Sequence, residues 1–140
     1  MSEDINFPDV NYGKANKDKM HELTVSEWSP FFGRSFWEIF IFSMSYAYAK
    51  GLKPKSVPGS GTMPGDAFQQ PTRYLMRSLA IAAKNDISII KKSKDYVKIC
   101  EEYAYAGFPE VYAQIKNNPT DKPVENILFN IISEIEKEVN

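Results

Sequence analysis

Residues 35–52 read SFWEIFIFSMSYAYAKGL, and the reading of this stretch decides the fold. Its first half, FWEIFIF, has the aromatic and β-branched content that suits a strand. The flanks point the other way. Ser35 and Glu38 have the S-x-x-E spacing of a capping box, which satisfies two backbone N–H groups that a helix start leaves open. Gly51 supplies a stop, Lys50 puts a cation in the last turn, and Pro54 follows. The stretch is therefore expected to form a helix of about 15 residues, roughly 23 Å long. Between Phe36 and Ala49 its one charge is Glu38, so it is apolar nearly all round and should be buried on most sides.

Working outward, residues 1–15 are polar, carry Pro8 and Gly13, and are expected to be a flexible N-terminal arm. The remaining residues, 16–140, are expected to form a single helical domain. Asn16 can cap a helix over residues 17–24, with Leu23 inward. Ser29-Pro30 breaks it, because a residue before proline avoids the α region. Trp28, Phe31 and Phe32 then make an aromatic connector that should pack against the central helix. Residues 53–70, with three prolines and three glycines, read as one long loop with room for a short strand near Val57 or Phe68. Gly59-Ser60-Gly61 followed by Gly65 lacks the lysine and the strand–helix context of a phosphate cradle.

Pro71 suits a first helical position, and a helix is expected over residues 71–84. Leu75, Leu79, Ala82 and Ala83 form its expected inner face, while Arg73, Arg77 and Lys84 share the opposite one. Asn85-Asp86 closes that helix and caps a short turn. Ser93 can cap a helix over residues 94–106, which Gly107 should end, and Pro109 should start another short helix. Asp121 and Pro123 open a last helix whose apolar stripe includes Val124, Ile127, Leu128 and Ile131. That stripe can dock on its own domain or form a homodimer seam. The fold class expected is all-α, a compact bundle of five to six helices around residues 36–49, with room for a minor short strand pair near the long loop.

At 140 residues, with 43% hydrophobic and 25% charged residues, the chain has an ordinary globular composition. No apolar run reaches the ~18 residues that spanning a membrane needs. Residues 1–10 lack the apolar core of a signal peptide. One cysteine excludes an internal disulfide and suits a cytoplasmic location. One histidine and one cysteine do not make a structural zinc site, and no cofactor is expected. The net charge of −1 hides a pattern: residues 1–49 carry −3, residues 50–98 carry +7 and residues 99–140 carry −5. A basic middle between acidic ends suits either a polyanionic partner or mutual neutralisation within the fold.

Catalysis needs converging polar groups, and few are visible. Glu101 and Glu102 are adjacent, so on a helix they point about 100° apart. His21 reads as an exposed or capping histidine, and Cys100 lies on an apolar face where a thiol is inert packing. The chain therefore reads as a non-enzyme. The basic middle is the functional candidate: Arg73 and Arg77 have phosphate-matching guanidinium groups, and Lys84, Lys91, Lys92 and Lys94 extend the surface. Tyr74 and Tyr96 could add stacking, or could be core. The plain alternative is a solvated helix face.

The order of local motifs resembles a small family of bacterial and archaeal proteins encoded beside DNA phosphorothioation (Dnd) gene clusters. Lys17-Asp18-Lys19, Glu22-Leu23-Thr24, Ser29-Pro30-Phe31 and the apolar helix ending Lys50-Gly51 match its start. Ser78-Leu79-Ala80-Ile81-Ala82, Asn85-Asp86-Ile87 and residues 99–107 (ICEEYAYAG) match its middle, and Lys122-Pro123-Val124-Glu125-Asn126-Ile127-Leu128 its tail. The likeness spans roughly residues 17–132. This chain departs from it at Cys100, where alanine is expected, and in a longer Gly/Pro loop. The resemblance implies a non-enzymatic accessory in DNA modification or defence. It supplies no site residues. It supports DNA as a partner, for which the residues themselves offer Arg73, Arg77, Lys84, Lys91 and Lys92, and equally an adaptor that docks on a larger defence or modification protein.

Overall fold

The computed structural model describes residues 7–117. Among them are four α-helices: α1 (Lys17–Val25), α2 (Phe36–Lys50), α3 (Gln70–Lys84) and α4 (Ser93–Asn117). Two short strands, β1 (Val10–Asn11) and β2 (Thr62–Met63), pair antiparallel with Val10 opposite Met63. Single 3-10 turns precede α1, precede α3 and join α3 to α4.

The capping signals around α2 behave as read. The Ser35 backbone N–H donates to Glu38 Oε1 at 2.9 Å, and Ser35 and Glu38 form a capping box. At the other end Gly51 is left-handed, at φ 73°. Its N–H donates to the Tyr48 carbonyl, and that of Leu52 to the Ala47 carbonyl at 2.9 Å, which together make a Schellman motif. Ile39, Phe40, Phe42, Met44, Tyr46 and Ala47 are all buried, so α2 is the central rod.

Its main partner is α4. The helices meet at Gly107, where an added Cβ would collide with the Ser43 carbonyl oxygen and lie 3.0 Å from Ala47 Cβ. The expected break at Gly107 does not occur. Tertiary contact overrides its weak helix propensity, because only a residue without a side chain allows this approach. Pro109 likewise lies inside α4 rather than opening a new helix. The two expected helices are thus one of 25 residues, and the described residues hold four α-helices where the expectation had one more. The expected last helix, from Asp121, lies outside the described residues.

The packed domain also begins earlier than residue 16. Phe7, Val10 and Tyr12 are buried, so this part of the expected arm is core. The long loop returns to the core as well, though at Met63 through the strand pair and at Phe68 through its ring. Phe68 meets the rings of Phe7, Trp37 and Phe40 at 6.1, 6.3 and 5.8 Å. Of the aromatic connector, Phe31 packs on α2 as expected, 5.7 Å from Phe42, whereas Phe32 is exposed. Helix α1 is tied to α4: the Tyr112 hydroxyl donates to one Glu22 oxygen, and Lys116 Nζ lies 2.7 Å from the other.

Candidate nucleic-acid interface

The site is built on α3 and the turn after it. Gln70–Lys84 takes a helical path with Pro71 in its first turn, and Asn85 ends it in the left-handed region at φ 53°. Asparagine tolerates that conformation, because its short polar side chain can bond locally. Asp86 then caps the next turn: its Oδ1 accepts from the Ser88 N–H at 3.0 Å and from the Ser88 hydroxyl at 2.8 Å. Those two bonds hold the Asp86 carboxyl below its ordinary pKa, and the charge of Lys91 adds to the effect.

The inner face of α3 is turned from the one the spacing suggested: Leu79 is buried as expected, but so are Arg73, Met76 and Ala80, while Leu75 and Ala83 are half-buried and Ala82 is exposed. Arg73 is 8% exposed and lies inside the fold. Its guanidinium carbon stands 4.1 Å from the centre of the Phe7 ring, and it donates to the Gly65 carbonyl at 3.3 Å. An aromatic face and a carbonyl acceptor together offset the cost of taking the charge out of water. These partners come from segments that sequence periodicity does not place beside α3. Arg73 therefore does not belong to the outer surface.

Arg77 is half-buried. Its Nε donates to the Tyr96 hydroxyl at 3.2 Å, and its guanidinium carbon lies 5.3 Å from the Tyr74 ring centre and 5.6 Å from that of Tyr96. Tyr96 is fully buried, so of its two sequence readings, core is the right one. Lys84, Lys91, Lys92 and Lys94 are all exposed. Among the described residues no carboxylate lies within ion-pair distance of any of these four. From Lys84 to Lys98 the chain carries five lysines against Asp86 and Asp95. Lys84, Lys91 and Lys92 are thus exposed along the segment that joins α3 to α4, Arg77 lies half-buried two helical turns before Lys84, and Arg73 is withdrawn into the fold.

Sequence reasoning missed a neighbouring cleft of about 520 Å³, whose walls include Asp9, Asn11, Lys94, Lys98, Glu101 and Glu102. These residues come from β1 with the residue before it and from α4, some 90 positions apart, and no local pattern joins them. Two of the carboxylates are already used by backbone: Asp9 accepts from the Gly65 N–H at 3.1 Å, and Glu101 from the Asn11 N–H at 2.8 Å. Burial pushes the Glu101 carboxyl above its ordinary pKa. Cys100 is buried, donates to the Met76 carbonyl at 3.4 Å, and has its thiol pKa driven far up by desolvation. His21 is exposed. Among the described residues no group of three or more His, Cys, Asp or Glu could hold a metal ion. Nor, among them, is any helix long and apolar enough to cross a membrane.

Fold and surface together define a small, mostly helical domain built on one buried rod, with a lysine-bearing turn at its edge. The model of a family described as DNA sulphur modification system-associated protein 4 matches residues 10–140, and the chain belongs to that family. The family resemblance seen in the local motifs is borne out, over a longer stretch than those motifs span. No curated protein and no solved structure matches the chain.

Proposed function

We propose that this protein is an accessory of a DNA sulphur modification system that holds DNA by its phosphates, through Lys84, Lys91 and Lys92 with Arg77 two helical turns before Lys84. The observation that carries the reading is the exposed α3–α4 turn, whose lysines have no described carboxylate within ion-pair distance. Lysine is a strongly hydrated point charge that suits sequence-independent phosphate contact. Family membership supplies the DNA context. Three phosphate contacts on a duplex give a slope of log affinity against log salt of about −3. The test titrates labelled duplex DNA at several salt concentrations with the wild type and with Lys84→Glu/Lys91→Glu/Lys92→Glu. Binding that weakens along that slope and disappears in the triple variant supports the reading. Affinity unchanged in the triple variant refutes it. These positions are exposed, so the variant should fold as the wild type does.

A second reading, that of an adaptor, is favoured by a different observation. Val25 is 55% exposed and Phe32 51% exposed. The Gly33 N–H donates to the Thr24 carbonyl, which brings the two segments together at the end of α1. Apolar side chains grouped in water are a feature of protein docking surfaces. Capture of a modification-system protein that is lost in Val25→Ser/Phe32→Ser and kept in the triple lysine variant would select this reading.

A further inference from the structure

We infer that Tyr74 is a stacking platform for an unpaired base, so that the DNA held at the α3–α4 turn is single-stranded or locally opened. This deepens the DNA reading above and rests on it.

Tyr74 is 57% exposed, one of few large apolar side chains left in water among the described residues. Helical spacing puts it on one stripe with Ser78 and Ile81, with Lys84 about 80° round the helix from it, and Ser78 and Lys84 are also exposed. The ring does not stand alone. The Arg77 guanidinium carbon lies 5.3 Å from its centre, and Arg77 is itself held by a hydrogen bond to the buried Tyr96 hydroxyl. An aromatic backed by a fixed guanidinium on a rigid helix is pre-organised, so stacking costs little side-chain freedom. From Tyr74 to Lys84 the helix rises about 15 Å. A strand with one base on Tyr74 can run along this helix and bring later phosphates to Lys84, then to Lys91 and Lys92.

Intact duplex cannot use this arrangement. Its base faces are covered by their neighbours, and a ring on the convex side of a helix meets only backbone or groove. An unpaired base offers a free face, and aromatic stacking on such faces is tolerant of sequence.

The test measures binding of a short oligothymidylate, the same strand with abasic sites, and a duplex of equal length, by fluorescence anisotropy at fixed low salt. Full-length wild type, Tyr74→Ala, Tyr74→Phe and the triple lysine variant are compared, with circular dichroism to confirm folding. The expected result is tighter binding of the oligothymidylate than of the duplex. Tyr74→Ala should weaken the single strand about tenfold, Tyr74→Phe should keep it, and neither should change duplex affinity. The abasic strand should bind wild type as the normal strand binds Tyr74→Ala. Lysine-dependent DNA binding with no effect of Tyr74→Ala, or abasic binding equal to normal, overturns this inference and leaves the DNA reading standing. No binding of any of the three DNAs by wild type overturns both.

Discussion

Gly107→Ala should destabilise the protein, although replacing glycine by alanine inside a helix ordinarily stabilises. The propensity gain is about 1 kcal/mol. Against it stands the geometry at the α2–α4 crossing. The new methyl would collide with the Ser43 carbonyl oxygen and lie 3.0 Å from Ala47 Cβ. A backbone carbonyl cannot rotate away as a side-chain end can, so the two helices must separate along the seam. Overpacking of this kind costs about 3 kcal/mol at the upper end of its usual range. The net loss is about 2 kcal/mol, or roughly 6 °C in Tm for a chain of this size. Urea unfolding followed by helical circular dichroism measures it, with Ala113→Gly as the control. Ala113 is exposed on the same helix, so there the opposite exchange should cost only its propensity, about 1 kcal/mol. A Gly107→Ala protein as stable as wild type, or more so, would show that α2 and α4 do not meet backbone to backbone.

Arg73→Ala should cost about 2–3 kcal/mol, because it removes the guanidinium stacked on Phe7 and the bond to the Gly65 carbonyl; thermal unfolding that leaves Tm unchanged would contradict its place in the core. Glu101→Gln should alter the pH dependence of stability. Burial raises the folded-state pKa of Glu101 above 4.5, so its contribution is full below that value and declines as pH rises through the shifted one. The variant should therefore match wild type in acid and gain on it towards neutral pH, as read by denaturant unfolding at a series of pH values; a variant that loses ground towards neutral pH would reverse the assignment. Cys100 should resist a thiol-specific reagent in the native protein at neutral pH and react at once in denaturant, since its thiol is fully buried and its pKa is raised.

The capped rod at residues 35–52 was legible because capping and stop signals are local chemistry. Ser35, Glu38 and Gly51 act within a few residues of one another, and they outweighed the strand-like look of FWEIFIF. What sequence could not convey came from distant partners. Gly107 reads as a helix stop until Ser43 is seen against it. Arg73 reads as a surface cation until Phe7 and Gly65 are seen around it. Its neighbour Leu75, expected inside, is only half-buried, and Met76 takes the inner place. Charge on α3 thus misled the choice of face, because a buried arginine with an aromatic partner looks in sequence like a solvated one. The lysines of the α3–α4 turn survived as candidates for a simpler reason. Turns lie on the surface whichever face a helix buries.

The most direct test of the DNA reading is residue-resolved. An amide NMR titration of the 140-residue chain with a short DNA strand shows where the ligand sits without any mutation. Shifts gathered at Tyr74, Arg77, Lys84 and Lys91 to Lys94 are the predicted result. A spectrum unmoved by DNA at low salt, or shifts confined to the Val25 and Phe32 end, would contradict it.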